Sequence, residues 1–233
     1  QGYSSAQNNL GNLYSSGRGV TKDFKQAYKW YLKSANQGNS GAQNNLGILY
    51  ANGTGVTKNY KQANSWYKKA ADQGNDLAQY HLGNNYEIGQ GFTKINYSEA
   101  LYWYRKSADQ GYMKAEYKMG FMYENGYGLP QSNKLAIRWY RKASNKSYMK
   151  ATNALNILIA KENCDYIGNI IFNNSDILPH LKKLTKLNSY NNNYRFNSNK
   201  SSFDENQYLN NEYLNKITYL DYELIKKIKL YNL

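Results

Sequence analysis

The sequence predicts an all-α protein, an array of about four stacked helical hairpins followed by a capping helix and a partly disordered helical tail. Three recurrences lead there. An alanine returns at Ala6, Ala42, Ala78, Ala115 and Ala151, in steps of 36, 36, 37 and 36 residues. A tryptophan keeps the same steps at Trp30, Trp66, Trp103 and Trp139, and glycine pairs recur at Gly17/Gly19, Gly53/Gly55, Gly89/Gly91 and Gly126/Gly128. The glycines place the extra residue of the third unit after Gly91, within 92–97, where a loop absorbs it; inside a helix it would rotate every later contact.

Each unit encodes two helices. In the first, Ala6, Leu10, Leu13 and Tyr14 share one helical face. Gly11 weakens such a helix by roughly 1 kcal/mol. Its return at Gly47, Gly83 and Gly120 predicts a close approach by a partner helix. The helix stops at Gly17-Arg18-Gly19, where glycine can take positive φ. Val20 packs over the turn, and Thr21 or Asp23 caps the second helix. That helix carries Ala27, Trp30, Tyr31, Ser34 and Ala35 as one stripe. Trp30 is expected to supply the large buried surface, and Gly38 ends the unit. The predicted pairs are 4–16 and 23–37, 40–52 and 59–73, 76–88 and 96–110, and 113–125 and 133–146. One hairpin cannot bury both its faces, so the units must stack.

The unit Ala6-x3-Leu10-Gly11-x2-Tyr14-x2-Gly17-x-Gly19-Val20, then Ala27-x2-Trp30-Tyr31-x-Lys33-x-Ala35-x2-Gly38, resembles the Sel1-like repeat. The second copy matches equally through Ala42, Leu46, Gly47, Tyr50, Gly53, Gly55, Val56, Ala63, Trp66, Tyr67, Lys69, Ala71 and Gly74. Copies three and four put Phe92 and Leu129 at the valine, and Ser147 replaces the last glycine. The related tetratricopeptide repeat has a shorter period of about 34 residues and generally lacks the Gly-x-Gly-Val turn. The resemblance implies a right-handed α-α superhelix whose repeats run 4–39, 40–75, 76–112 and 113–148, within an array over 1–150.

Past Ala151 the pattern decays. Ala151, Leu155 and Leu158 keep a first-helix stripe, but Asn156 replaces the glycine and Ile159 the tyrosine. Residues 151–187 therefore read as a degenerate half-repeat with capping helices. Within them 166–172 is a strand or a helical turn, and Leu178, Leu181, Leu184 and Leu187 mark a short helix. Residues 188–206 hold seven Asn and four Ser, a linker composition. In 207–233, Tyr213, Ile217, Leu220, Leu224, Ile228 and Tyr231 make an amphipathic helix with a narrow seam, suited at 207–230 to one helix partner.

Composition bounds the function. With 233 residues, 41% of them hydrophobic, the chain can bury a sizeable core. No run of about 18 apolar residues predicts a membrane span. The start at Gln1-Gly2-Tyr3 echoes the Gln-Gly that closes later units, so the terminus reads as a cut inside a longer array. One cysteine, Cys164, excludes an internal disulfide framework and a Cys-based zinc site. His81 and His180 have no acidic partner at ligand spacing, and no metal or cofactor is implied.

The resemblance further implies a scaffold for a protein or peptide, with first helices lining a concave face. The solvent-side positions there are Asn8, Asn12, Asn44, Ile48, Tyr80, Asn84, Tyr117, Lys118 and Phe121. Asn can bond a peptide backbone, and Tyr stacks and offers a hydroxyl. Asn is 34 of the 233 residues, so compositional bias is the competing reading. Asn8 stands where a tetratricopeptide carboxylate clamp has lysine. Disulfide-rich secreted members of the family have been assigned β-lactamase activity. This chain departs from them in its single Cys, and Ser132 and Ser202 lie in polar loops without a base. The net charge of +14 suggests nucleic acid as another partner. Against it, the lysines follow Trp-Tyr on the outward side of the second helices, and the aromatics are committed to the core.

Overall fold

The computed structural model describes residues 3–173, with side chains through residue 163. The predicted short helix at 178–187, the linker at 188–206 and the helix at 207–230 lie outside the described residues. Those described form α1 (Ser4–Ser16), α2 (Phe24–Asn36), α3 (Ser40–Asn52), α4 (Tyr60–Asp72), α5 (Asp76–Ile88), α6 (Tyr97–Asp109), α7 (Met113–Asn125), α8 (Asn133–Ser144) and α9 (Met149–Asn173). Residues 1–155 make one compact unit.

In this unit each odd helix pairs with the even helix after it, and α2, α4 and α6 pack in turn on α3, α5 and α7. Four hairpins so stacked bury three apolar clusters, centred where α2 meets α3, α4 meets α5 and α6 meets α7. Helix limits follow from local chemistry. Asp23 accepts from the backbone N–H groups of Lys25 and Gln26, and Asn59, Asn96 and Ser132 cap α4, α6 and α8 in the same way. First helices end on a glycine at φ 70–75°, whose N–H returns to a carbonyl four residues back. The extra residue of the third unit falls in the loop between α5 and α6, leaving both helices 13 residues long. Ser147 takes φ 62°, the left-handed conformation its glycine counterparts hold at 87–88°.

The recurrent mid-helix glycine does admit a close partner. A Cβ on Gly11, Gly47, Gly83 or Gly120 would stand 2.4–2.8 Å from the ring of Tyr31, Tyr67, Tyr104 or Tyr140. These tyrosines are buried, and they take the deep position that the sequence assigns to tryptophan. Trp103 and Trp139 are also buried, but Trp30 and Trp66 are only half-buried. Each tryptophan instead lies under the lysine three residues on: Lys33, Lys69 and Lys142 sit 4.5, 4.2 and 4.2 Å from the ring centres, and Lys106 5.4 Å.

A side-chain clamp closes each hairpin. Gln37, Gln73 and Gln110 each donate through Nε2 to Oε1 of Gln7, Gln43 and Gln79, at 2.7, 2.7 and 2.8 Å. Gln43 and Gln79 pass the chain on by donating to the carbonyls of Ala35 and Ala71 in the preceding unit. The fourth hairpin replaces the amides with an ion pair, Lys146 Nζ to Glu116 Oε1 at 2.6 Å.

Helix α9 opens as a fifth first helix, burying Ala151 and Leu155, and runs unbroken for 25 residues. Residues 166–172, open to strand or helix in the sequence, belong to it.

Candidate functional site

The second-helix tyrosines connect the core to the surface of the first helices. After crossing its glycine, Tyr31 donates its hydroxyl hydrogen toward Asn12 Oδ1 at 2.8 Å and lies 3.1 Å from Ser15 Oγ. Tyr104 bonds Glu87, and Tyr140 donates to Glu124 Oε2 at 2.5 Å. Tyr67 stacks on His81 instead, with ring centres 5.1 Å apart and planes 19° apart. Neighbouring first helices are also joined. Asn45 donates to Asn8 and Asn12, and Lys118 Nζ meets both oxygens of Glu87 at 2.8–2.9 Å.

Around α5 and α7 this surface becomes aromatic. Tyr80 meets His81 edge-on at 5.6 Å, Tyr104 at 5.9 Å and Tyr112 at 5.3 Å, and Tyr117 meets Tyr140 at 5.5 Å and Tyr148 at 5.6 Å. Burial first, then its phenol neighbours, pushes Tyr80 up to about 12. Burial also raises Tyr112, Tyr117 and Tyr148, so all four rings are neutral phenols at ordinary pH. Burial, helped by the charge of Lys114, lowers His81 to about 4 and keeps the imidazole neutral.

The predicted residues are not equivalent in this setting. Asn8 and Asn12 take part in the asparagine bridge, Tyr80 and Tyr117 in the aromatic cluster. Ile48 and Asn84 are half-buried. Lys118 is tied to Glu87, and Phe121 lies under Lys118 at 5.3 Å and edge-on to Tyr127. Asn44 needs correction. It is 3% exposed, with Oδ1 buried and unbonded, so it does not face solvent. One residue is a turn of about 100° on a helix, and Asn45, one step on, is the residue that reaches Asn8 and Asn12. Sequence reasoning weighed His81 only as a metal ligand, and it passed over Asn45, Glu87, Tyr112 and Tyr148. The last two carried a signal, because they stand where Asn39 and Asn75 cap α3 and α5.

Charge is sorted between the two sets of helices. The second helices, α2, α4, α6 and α8, hold twelve Lys and Arg against three acids; the first helices, α1, α3, α5 and α7, hold two lysines against four acids. Two shallow grooves, one touching Tyr14, Val20 and Phe24 and the other Tyr28, Tyr50 and Val56, follow the glycine turns. Among the described residues no three His, Cys, Asp or Glu are grouped to hold a metal, and no helix is long and apolar enough to cross a membrane.

Comparison with known proteins finds the Sel1 repeat four times, at residues 4–39, 40–75, 76–112 and 114–148. The chain belongs to the Sel1 repeat family. The Sel1 array is similar to the crystal structure of a Sel1 repeat protein from Oxalobacter formigenes, with 39% identity and a TM-score of 0.65 over 68% of this chain and 63% of that one. It is also similar to a protective antigen present in uropathogenic Escherichia coli strains, with 35% identity and a TM-score of 0.65 over 68% of this chain and 34% of that one. The match thus spans less than two thirds of either relative. No curated protein matches the chain. Sel1 repeats are generally non-catalytic modules for protein–protein interaction, and they form helical solenoids.

Proposed function

We propose that the chain is a non-catalytic scaffold that holds an extended segment of a partner protein against the concave, first-helix face of its Sel1 array. The observation that carries this reading is the composition of that layer. Outside the tyrosine-over-glycine contacts it presents half-exposed Asn, Tyr and Phe side chains from successive repeats, a set suited to backbone amides and to side-chain stacking at low entropic cost. The second helices, whose lysines already rest on tryptophan rings, serve as the solvated outer layer.

The test places a photo-reactive benzoylphenylalanine at Asn84 or Phe121, and separately at Tyr102 or Lys142 on second helices. Irradiation in a lysate of the source cells should give one common protein adduct from the first pair and none from the second. The same adduct from the second pair alone would overturn the assignment of the face.

A further inference from the structure

Four tyrosines converge on the first-helix face from three helices: Tyr80 in α5, Tyr112 and Tyr117 at the start of α7, and Tyr148 just before α9. All are half-buried, and among the described residues none of their hydroxyls has a hydrogen-bond partner in the protein. Nine other aromatic rings of the described residues carry one of the chain's own cations. Lysine or arginine lies over Phe24, Trp30, Tyr60, Trp66, Tyr102, Trp103, Tyr104, Phe121 and Trp139. Among the described residues no cation lies over these four rings, in a chain with 30 Lys and Arg.

The position of Tyr112 adds a second, independent observation. Asn39 and Asn75, its counterparts, use their side chains to cap α3 and α5. Tyr112 makes no such bond. The sequence gives up a capping bond at this place and gains a ring beside Tyr80. Carboxylates are also close: Asp76 bears electrostatically on Tyr112, Glu87 on Tyr80 and Tyr117, and Glu124 on Tyr117. Lys118 is occupied by Glu87.

We infer that the cluster of Tyr80, Tyr112, Tyr117 and Tyr148 is a receptor for an arginine side chain of the bound segment. Neutral phenol rings offer negative π faces to a cation. A guanidinium is planar, stacks on such faces, and carries five donors for the four free hydroxyl oxygens. The sorting of charge favours the same ligand, since the first-helix layer has more acids than lysines while the excess cations sit on the second helices. This inference rests on the peptide-scaffold reading and specifies one anchor within it.

The experiment needs no natural partner. The full chain, with ring-labelled tyrosine, is titrated by NMR with acetyl-Gly-Arg-Gly-amide and with the peptide in which neutral citrulline replaces arginine. The expected result is saturable shifts in the resonances lost in Tyr80→Leu and Tyr117→Leu, with affinity at least fivefold weaker for citrulline. Tyr102→Leu, on a second helix, should leave the titration unchanged. Equal response to the two peptides, no response at millimolar concentration, or shifts that survive Tyr117→Leu in a folded variant would overturn the inference. Failure here with common adducts in the photo-crosslinking would remove the arginine receptor alone. Arginine selectivity without any adduct would remove the scaffold reading and leave the receptor standing.

Discussion

Gly47 shows how one missing side chain positions a whole hairpin. In an exposed helix, alanine would be preferred there by roughly 1 kcal/mol. In this array a Cβ would meet the Tyr67 ring at 2.4 Å, and that ring is buried under the neighbouring unit. Overpacking of this kind costs about 1–3 kcal/mol, so Gly47→Ala should destabilise despite the better propensity. Urea denaturation measures it, and a midpoint equal to or above the parent would show that the crossing is not tight. The glycine was legible from its recurrence alone. Its partner was not, because Trp66 and Tyr67 are adjacent and either ring could fill the gap; only the approach of the two helices decides between them.

At the scale of the element, the clamps explain how one helix fixes its neighbour. Three hairpins use neutral glutamine pairs, and the fourth uses Lys146 and Glu116. Glu116 is 3% exposed, and its Oε2 has no hydrogen-bond partner. That oxygen is equivalent to the Nε2 that Gln43 and Gln79 donate backward, a bond a carboxylate cannot offer. Removing the cation alone, in Lys146→Met, leaves a buried carboxylate without compensation and should cost about 1–3 kcal/mol, less than a fully buried pair because the lysine is partly in water. The double change Glu116→Gln with Lys146→Gln rebuilds the clamp of the earlier repeats and should recover most of that loss. Urea denaturation of the parent and the two variants measures this, and a double variant no more stable than Lys146→Met would mean that the two residues do not act together. Helix limits themselves were legible: the glycine turns place the ends of α1, α3, α5 and α7, and the loop after Gly91 does absorb the extra residue. The fate of 166–172 was not, since a short isoleucine-rich run has no period long enough to separate strand from helix.

On the scale of the molecule, the period specifies a stacked array, and the sorting of charge gives its two helical layers different chemistry. The repeat family was legible because every unit restates the same glycines, alanines and aromatics. The first-helix surface was legible in part. Asn8 and Asn12 join the asparagine bridge and Tyr80 and Tyr117 the aromatic cluster, but Asn44 turns inward, and the cross-helix bonds of Asn45, Glu87 and Lys118 depend on side chains meeting between units, which no single-helix pattern encodes. The proposal that the first helices hold the partner is therefore the claim most in need of direct measurement. Once the partner segment is known from the photo-adduct, hydrogen exchange on the full chain with and without it reads the helices separately. Protection should rise in α3, α5 and α7 and stay unchanged on the outer turns of α4, α6 and α8. Protection confined to the lysine-bearing second helices would contradict the account.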